Sequence, residues 1–374
     1  ALLRQVEGPV IALTEHAQPR LQPGPGTQIL ALGAPDRVAR AALWQAHLQF
    51  DDQDSIALAE DFAITADDIA HICAQIGDGG ASTDRSALAG AARAAANRHL
   101  APPPDPLIQE IRGGADWADL IVPPASEATL RAIAAQARHR AQVYRQWQFA
   151  KPDARGLGIT ALFTGPSGTG KTLAAEVLAQ DLGQRLLRVN LAQVVDKYVG
   201  ETEKHLDHVF GLAERSGAIL LFDEAEAVFR QRGDGDSGQE RIASMTVAYL
   251  LQRLECCTAT CLLTTNLRSA IDDAFLRRLR FVVQFAFPGK AERLRLWQNV
   301  FPKAAPVRHI DAGLLASLPA TGGTIRNAAL NAAFLAADGG GPIEMHHILT
   351  ALEQENTKLS QPVDLGPLWR RIRQ

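Results

Sequence analysis

No stretch of this 374-residue chain stays apolar for the roughly 18 residues that a membrane-crossing helix requires. The first 14 residues hold one arginine and no clean apolar core, so a secretory signal is not expected. Only four cysteines are present, too few to build a disulfide framework in a chain of this size. Three of them, Cys256, Cys257 and Cys261, cluster. Their C-C-x-x-x-C spacing lacks the paired pattern of a zinc site and reads as small buried hydrophobes in a reducing cytosol. An excess of one charge is also missing: the formal net charge of −3 gives no footprint for nucleic acid or an anionic membrane. What is left, 47% apolar and 21% charged residues, suits a soluble globular protein of two or three domains.

Proline punctuation at Ala101-Pro102-Pro103-Pro104-Asp105-Pro106 separates an N-terminal part from the rest. Beyond it, Ala125 to Phe149 reads as one alanine-rich helix. Strand-like runs Ile159–Thr164, Leu186–Asn190, Ala218–Phe222, Thr260–Thr265 and Phe281–Phe287 then alternate with helical stretches. That alternation predicts a parallel sheet sandwiched by helices, an α/β fold. From Lys290 to about Gln354 the pattern is helical, which predicts a smaller all-α domain.

The chain also repeats itself. Gln28-ILALGAPDRVARAALWQ-Gln45 resembles Phe281-VVQFAFPGKAERLRLWQ-Gln298, with Pro35 matching Pro288 and Trp44 matching Trp297 at one offset. Further on, Phe62-AITADDIA-Ala70 parallels Leu318-PATGGTIR-Arg326, three residues out of that register. The expected arrangement is a helical bundle over 36–100 that copies the one after Lys290. Strand-like Val10–Leu13 and Ile29–Leu32 would precede it.

Gly165-Pro166-Ser167-Gly168-Thr169-Gly170-Lys171-Thr172 follows the first core strand and opens a helix through Leu182, stopped by Gly183. This is the P-loop context. Glycines let backbone N–H groups converge on phosphates, and the helix N-terminus adds partial positive charge. Lys171 reaches the β- and γ-phosphates and the Thr172 hydroxyl ligates Mg²⁺. The strand Ile219-Leu-Leu-Phe ends in Asp223 and Glu224. Asp223 suits the outer shell of Mg²⁺, and Glu224 suits orienting and deprotonating an attacking water. Asn266 ends the strand Thr260–Thr265, where open sheets place ligands; it either holds the same water or turns the chain.

These motifs, followed by Asp273-Ala-Phe-Leu-Arg277-Arg278, resemble the AAA+ ATPases over roughly residues 115–355. The resemblance implies an AAA+ P-loop ATPase with a helical lid, using ATP and Mg²⁺. It makes Asn266 sensor 1, and makes Arg277 and Arg278 arginine fingers for a neighbouring subunit, with Arg280 a weaker third candidate. It also makes Arg326, in Gly-Gly-Thr-Ile-Arg326-Asn, the sensor 2 residue. Lys197-Tyr198-Val199-Gly200 resembles pore loop 1, whose aromatic grips an extended protein chain. The implied assembly is a homo-oligomeric hexameric ring acting on protein rather than nucleic acid, in the cytoplasm, with no membrane span.

Two stretches, Ala274–Pro288 and the Gly-Gly-x-Ile-Arg-Asn lid, narrow the resemblance to a bacterial group. Its members pair a degenerate first AAA+ module with an active second and often accompany phage-tail-like contractile injection systems. On that reading 1–35 is a remnant of an inactive α/β domain and 36–100 is the lid of the degenerate module. Residues 101–118 are a linker, 119–288 the active ATPase domain, and 289–374 its lid and tail. Ala70 stands where the copy would need the sensor 2 arginine, so that module is not expected to hydrolyse ATP. The rival expectation is an ATP-regulated scaffold that threads nothing. Gly233-Asp-Gly-Asp-Ser-Gly238 lacks the ligands of a calcium loop and reads as a second pore loop.

Overall fold

The computed structural model of the protein describes residues 35–48, 50, 52–77, 85–101, 105–150, 157–194, 201–226, 238–267, 273–358 and 369. The strand candidates Val10–Leu13 and Ile29–Leu32, the Lys197–Gly200 motif and the loop 233–237 lie outside the described residues.

The described residues begin with four helices, α1 (Arg37–Leu48), α2 (Asp52–Asp61), α3 (Ala66–Gly77) and α4 (Arg85–His99). They close around Trp44, Phe62, Ile69 and Ile72, all shielded from solvent. Among the described residues six strands follow: β1 (Ile108–Ile111), β2 (Ile159–Thr164), β3 (Leu186–Val189), β4 (Ile219–Phe222), β5 (Thr260–Thr265) and β6 (Phe281–Gln284). They form one sheet in the order β1-β3-β4-β5-β2-β6. Every residue of β2 is buried, because it pairs in parallel with both β5 and β6 and is covered on both faces. Helices α5 (Pro124–Ala141) and α6 (Lys171–Leu182) cover one face through Leu130, Ile133, Val177 and Leu178. A single turn, α7 (Leu191–Val194), precedes α8 (Glu201–Ser216) and α9 (Gly238–Cys256). These last two cover the other face through Val209, Phe210, Leu250 and Leu254. After one turn, α10 (Asp273–Leu276), and strand β6, the chain forms a second bundle. It comprises α11 (Lys290–Asn299), α12 (Ala312–Leu315), α13 (Gly322–Asp338) and α14 (Met345–Lys358), around Trp297, Ile325 and Ile348.

The expected parallel sheet carries one further, antiparallel strand at its edge. Strand β1 runs antiparallel to β3, with Ile111 opposite Leu186, and lies inside the stretch 101–118 expected to be a linker. Four residues of mixed exposure carry too short a pattern to detect. Charge blunts this edge, since Glu110 pairs with Arg185 at 3.1 Å and with Arg112 at 2.9 Å. Several expected elements are also shorter. The helix expected to reach Phe149 gives way after Ala141 to a π-helical turn, Gln142–Gln146. The strands expected over Leu186–Asn190, Ala218–Phe222 and Phe281–Phe287 lose one to three terminal residues.

The two bundles use the same internal bonds. Arg40 Nη1 donates to Pro35 O at 2.7 Å, and Arg293 Nη1 donates to Pro288 O at 2.6 Å. Arg40 Nη2 reaches Ala59 O, and Arg293 Nε reaches Ala316 O, both at 2.9 Å. Trp44 and Trp297 are both buried with an indole N–H that has no partner among the described residues. Thr65 and Thr321 each accept the N–H three residues on, from Asp68 and Thr324, both at 3.2 Å. A threonine side chain at that place caps the first turn of a helix.

The first bundle is fastened to the end of the sheet opposite the P-loop. Arg140, at the end of α5, donates to Asp61 Oδ1 at 2.6 Å and to Thr258 O at 2.8 Å. Asp61 also pairs with Arg93, and its neighbour Glu60 with Arg145 at 3.0 Å. Asn97 Nδ2 donates to Gly183 O, at the C-terminal end of α6, at 2.8 Å. Side chains of Arg140 and Asp61 are each only 10% exposed, so both charges depend on each other. Asp61→Ala should therefore strand two guanidinium groups and destabilise the fold by about 3–5 kcal/mol. Chemical unfolding with a fluorescence readout measures this; a change below about 0.5 kcal/mol would show the contact to be dispensable.

Candidate active site

Strand β2 ends against Phe285, and this close approach sets the loop that follows. Gly165 has φ +149° and donates its N–H to Thr265 O at 3.2 Å. A Cβ at this position would lie 2.0 Å from Phe285 O, so only glycine fits. Gly168, at φ +76°, accepts the N–H of Gly323 at 2.9 Å, which seats the start of α13 on the P-loop. Gly170 ends the loop as the N-cap of α6. Ser167, Thr169 and Thr172 line the same cleft, and the Thr169 hydroxyl donates to Pro166 O at 2.8 Å.

The cleft encloses about 790 Å³ between the sheet and the second bundle. Its walls bring together Gly168, Lys171, Asp223, Glu224, Asn266 and Arg326. Lys171 is only 8% exposed. Its Nζ donates to Gly165 O at 2.7 Å, Pro166 O at 2.8 Å and Asn266 Oδ1 at 2.9 Å. Burial lowers its pKa, while the charges of Glu226, Asp223 and Glu224 oppose that shift.

The two carboxylates after β4 are organised by one hydroxyl on β5. Thr264 Oγ1 donates to Asp223 Oδ1 and accepts the Glu224 N–H at 3.1 Å. Asp223 Oδ2 also pairs with Arg188 of β3 at 2.9 Å. Both oxygens are thus engaged, which suits a carboxylate acting at one remove from a metal. Glu224 has φ +54° and is exposed. A non-glycine residue in the left-handed region stores strain of order 1–3 kcal/mol, and such outliers cluster at functional sites.

Across the cleft, Arg326 sits one turn into α13 and faces Glu176 of α6. Burial raises the Glu176 pKa and Arg326 opposes the shift. The arginines before β6 are not part of this cleft. Arg277 is exposed and makes no ion pair among the described residues, and Arg278 pairs with Glu255 at 2.8 Å. Arg280, the weaker finger candidate, lies over the Tyr144 ring at 5.6 Å and bonds its hydroxyl. That guanidinium is engaged within its own chain.

Sequence reasoning missed Glu226. The residue is 8% exposed, and its carboxylate accepts Asn266 Nδ2 at 3.0 Å and Asn266 N at 3.3 Å. The acidic run Asp223-Glu224-Ala225-Glu226 is a signal that could have found it. Glu176, Arg188 and Thr264 carried no such signal, because strand register and helix packing alone bring them to the cleft.

Residues 161–288 match the family model described as "ATPase family associated with various cellular activities (AAA)". An uncharacterized AAA family ATPase, y4kL, from Sinorhizobium fredii is 32% identical over 191 residues, covering 50% of this chain and 57% of that protein. An ATP-dependent zinc metalloprotease, FtsH 3, from Sphaerobacter thermophilus is 34% identical over 190 residues, covering 48% and 38%. A proteasome-activating nucleotidase from Saccharolobus solfataricus is 28% identical over 207 residues, covering 53% of each chain. The chain thus spans about half the length of the curated relatives it matches. No helix among the described residues is long and apolar enough to cross a membrane.

Thr264→Val keeps the side-chain volume but removes the hydroxyl that joins Asp223 to the Glu224 N–H. It should destabilise the domain by about 1–3 kcal/mol, while Thr264→Ser should recover most of that. Urea unfolding of the three proteins checks both statements. Equal stability of Val and Thr would show that the hydroxyl does not organise the turn.

Proposed function

From the AAA ATPase domain that residues 161–288 form, we propose that this chain hydrolyses Mg-ATP in a hexameric ring and uses the energy to remodel, unfold or assemble proteins. The observation that carries the reading is the buried Lys171 ammonium, set at the mouth of a glycine loop beside Asp223, Glu224 and Asn266. A cleft of about 790 Å³ is ample for a nucleotide. The donor set fits a magnesium ion too. Thr172 and Asp223 would hold it, and the ion would draw negative charge off the phosphate oxygens.

The roles of the chain's own groups follow from this geometry. P-loop N–H groups and the N-terminus of α6 cradle the phosphates. Lys171 exchanges its carbonyl partners for phosphate oxygens. Glu224 takes the proton of the attacking water, and Asn266 helps to orient that water. Arg326, carried on the bundle that closes the cleft, reports the γ-phosphate to the lid. Arg277 and Arg278, outside their own cleft, are placed to serve a neighbouring subunit's nucleotide. Protein as the substrate class is supported by the relatives named as a metalloprotease and a proteasome-activating nucleotidase, and by the Lys197-Tyr198-Val199-Gly200 motif.

We read residues 36–100 as the lid of a degenerate module and 1–35 as what remains of its α/β domain. The shared Arg40/Arg293, Trp44/Trp297 and Thr65/Thr321 arrangements support that reading. A contractile injection system is the proposed setting and the cytoplasm the proposed compartment; the sequence resemblance supports both.

Lys171→Ala should abolish ATP binding, whereas Glu224→Gln should bind ATP and stall before hydrolysis. Equilibrium nucleotide binding and phosphate release separate the two, and native turnover by Glu224→Gln would remove it as the base.

Trans action has its own test. Arg277→Ala/Arg278→Ala should lose up to about 10³–10⁵ in turnover, as arginine-finger losses do elsewhere. Mixing it with Lys171→Ala subunits should restore part of the rate at mixed interfaces. Absence of rescue at every ratio, with mixed rings shown by mass measurement, would place those arginines outside catalysis.

A further inference from the structure

Glu226 is a buried carboxylate bonded to Asn266 of the cleft wall, and the scheme above gives it no task. Among the described residues its hydrogen bonds go to one partner, Asn266. Oε1 accepts Asn266 Nδ2 at 3.0 Å and the Asn266 N–H at 3.3 Å, and Oε2 lies 3.4 Å from that same N–H. On its other side Asn266 meets Lys171, whose Nζ lies 2.9 Å from Asn266 Oδ1. Carboxylate, amide and ammonium form a chain of three.

Chemistry leaves this chain one polarity. An ionised carboxylate only accepts hydrogen bonds, and an ammonium only donates them. An amide between the two must turn its NH₂ to Glu226 and its oxygen to Lys171. The reverse orientation would set two donors, Nδ2 and Nζ, against each other and two acceptors, Oδ1 and Oε1, against each other. The amide of Asn266 is therefore fixed by its neighbours' donor and acceptor capacities.

We propose that Glu226 is a positioning residue that locks Asn266 with Oδ1 toward the reaction side, so that Asn266 serves hydrolysis as an acceptor and not as a donor. This rests on the P-loop ATPase reading above. When Lys171 turns to a phosphate oxygen, the freed Oδ1 lone pairs require a hydrogen-bond donor. A water molecule supplies one; an unprotonated phosphate oxygen does not. Asn266 then selects the attacking water and leaves the γ-phosphate to Lys171 and Arg326. Glu226 itself stays out of proton transfer, because both its oxygens face Asn266.

The orientation is tested by moving the charge along the chain. Glu226→Gln permits either amide orientation, and a phosphate then draws the Asn266 NH₂ toward itself by a charge-assisted bond. Turnover should fall on the order of ten- to a hundredfold while ATP affinity, measured by equilibrium binding, holds or tightens. A merely structural role would weaken binding along with turnover.

Asn266→Asp sets two carboxylates against each other and should be similarly impaired. The swap Glu226→Gln/Asn266→Asp restores a donor–acceptor pair while the introduced carboxylate still presents an acceptor. It should therefore turn over ATP at least about tenfold faster than Asn266→Asp alone. Thermal melts of all three confirm folding. A folded swap with native ATP affinity but no rate gain would mean that Asn266 acts as a donor, and the proposal fails. Native turnover by Glu226→Gln would likewise end it. Absence of ATP turnover by the unaltered chain would instead undo the ATPase reading itself.

Discussion

A charged ammonium buried at the end of a hydrophobic strand is the constraint around which this cleft is organised. Lys171 loses hydration on entering the loop, and three acceptors with three nearby carboxylates compensate it. Each compensating group comes from a different place in the chain. Gly165 and Pro166 follow β2, the carboxylates follow β4, and Asn266 ends β5. Charge balance on one lysine therefore requires three strand ends to meet. The parallel pairing of β2 with β5 and of β5 with β4 brings them together. Gly165, pressed against Phe285 O, shows how little slack that meeting leaves.

The two bundles carry the same frame and different surfaces. Arginine, tryptophan and threonine occupy equivalent places and make equivalent bonds in both. The second bundle rests the start of α13 on Gly168 and brings Arg326 to the nucleotide cleft. The first turns the acidic end of α2 toward Arg140 and Arg145 and rests on the opposite end of the sheet. Internal hydrogen bonds define the bundle, and a few surface charges decide where it binds.

Much of this was legible in sequence because it is local. β2, the glycine loop and α6 lie within 24 consecutive residues, and the stop at Gly183 is a left-handed cap that glycine favours. Strand β1 was not legible, since its partner is some 75 residues away and four residues offer no period. The lock on Asn266 was hidden for a related reason. Glu226 and Asn266 are forty residues apart, and only the register of β4 against β5 makes them neighbours. Repeat matching suggested a frame over 36–100, but nothing in it indicated that Asp61 would meet Arg140, a pairing made 79 residues apart.

The fastening of the first bundle has a consequence for behaviour in salt. Mobile ions screen charges they can surround, over about 8 Å at physiological ionic strength and about 3 Å at molar concentration. Arg278 and Glu255 are each nearly half exposed, so added electrolyte weakens their attraction and frees the arginine. Arg140 and Asp61 are largely sealed from solvent and 2.6 Å apart, leaving no room for an intervening ion. Concentrated salt thus loosens Arg278 while the bundle at the far end of the sheet stays seated.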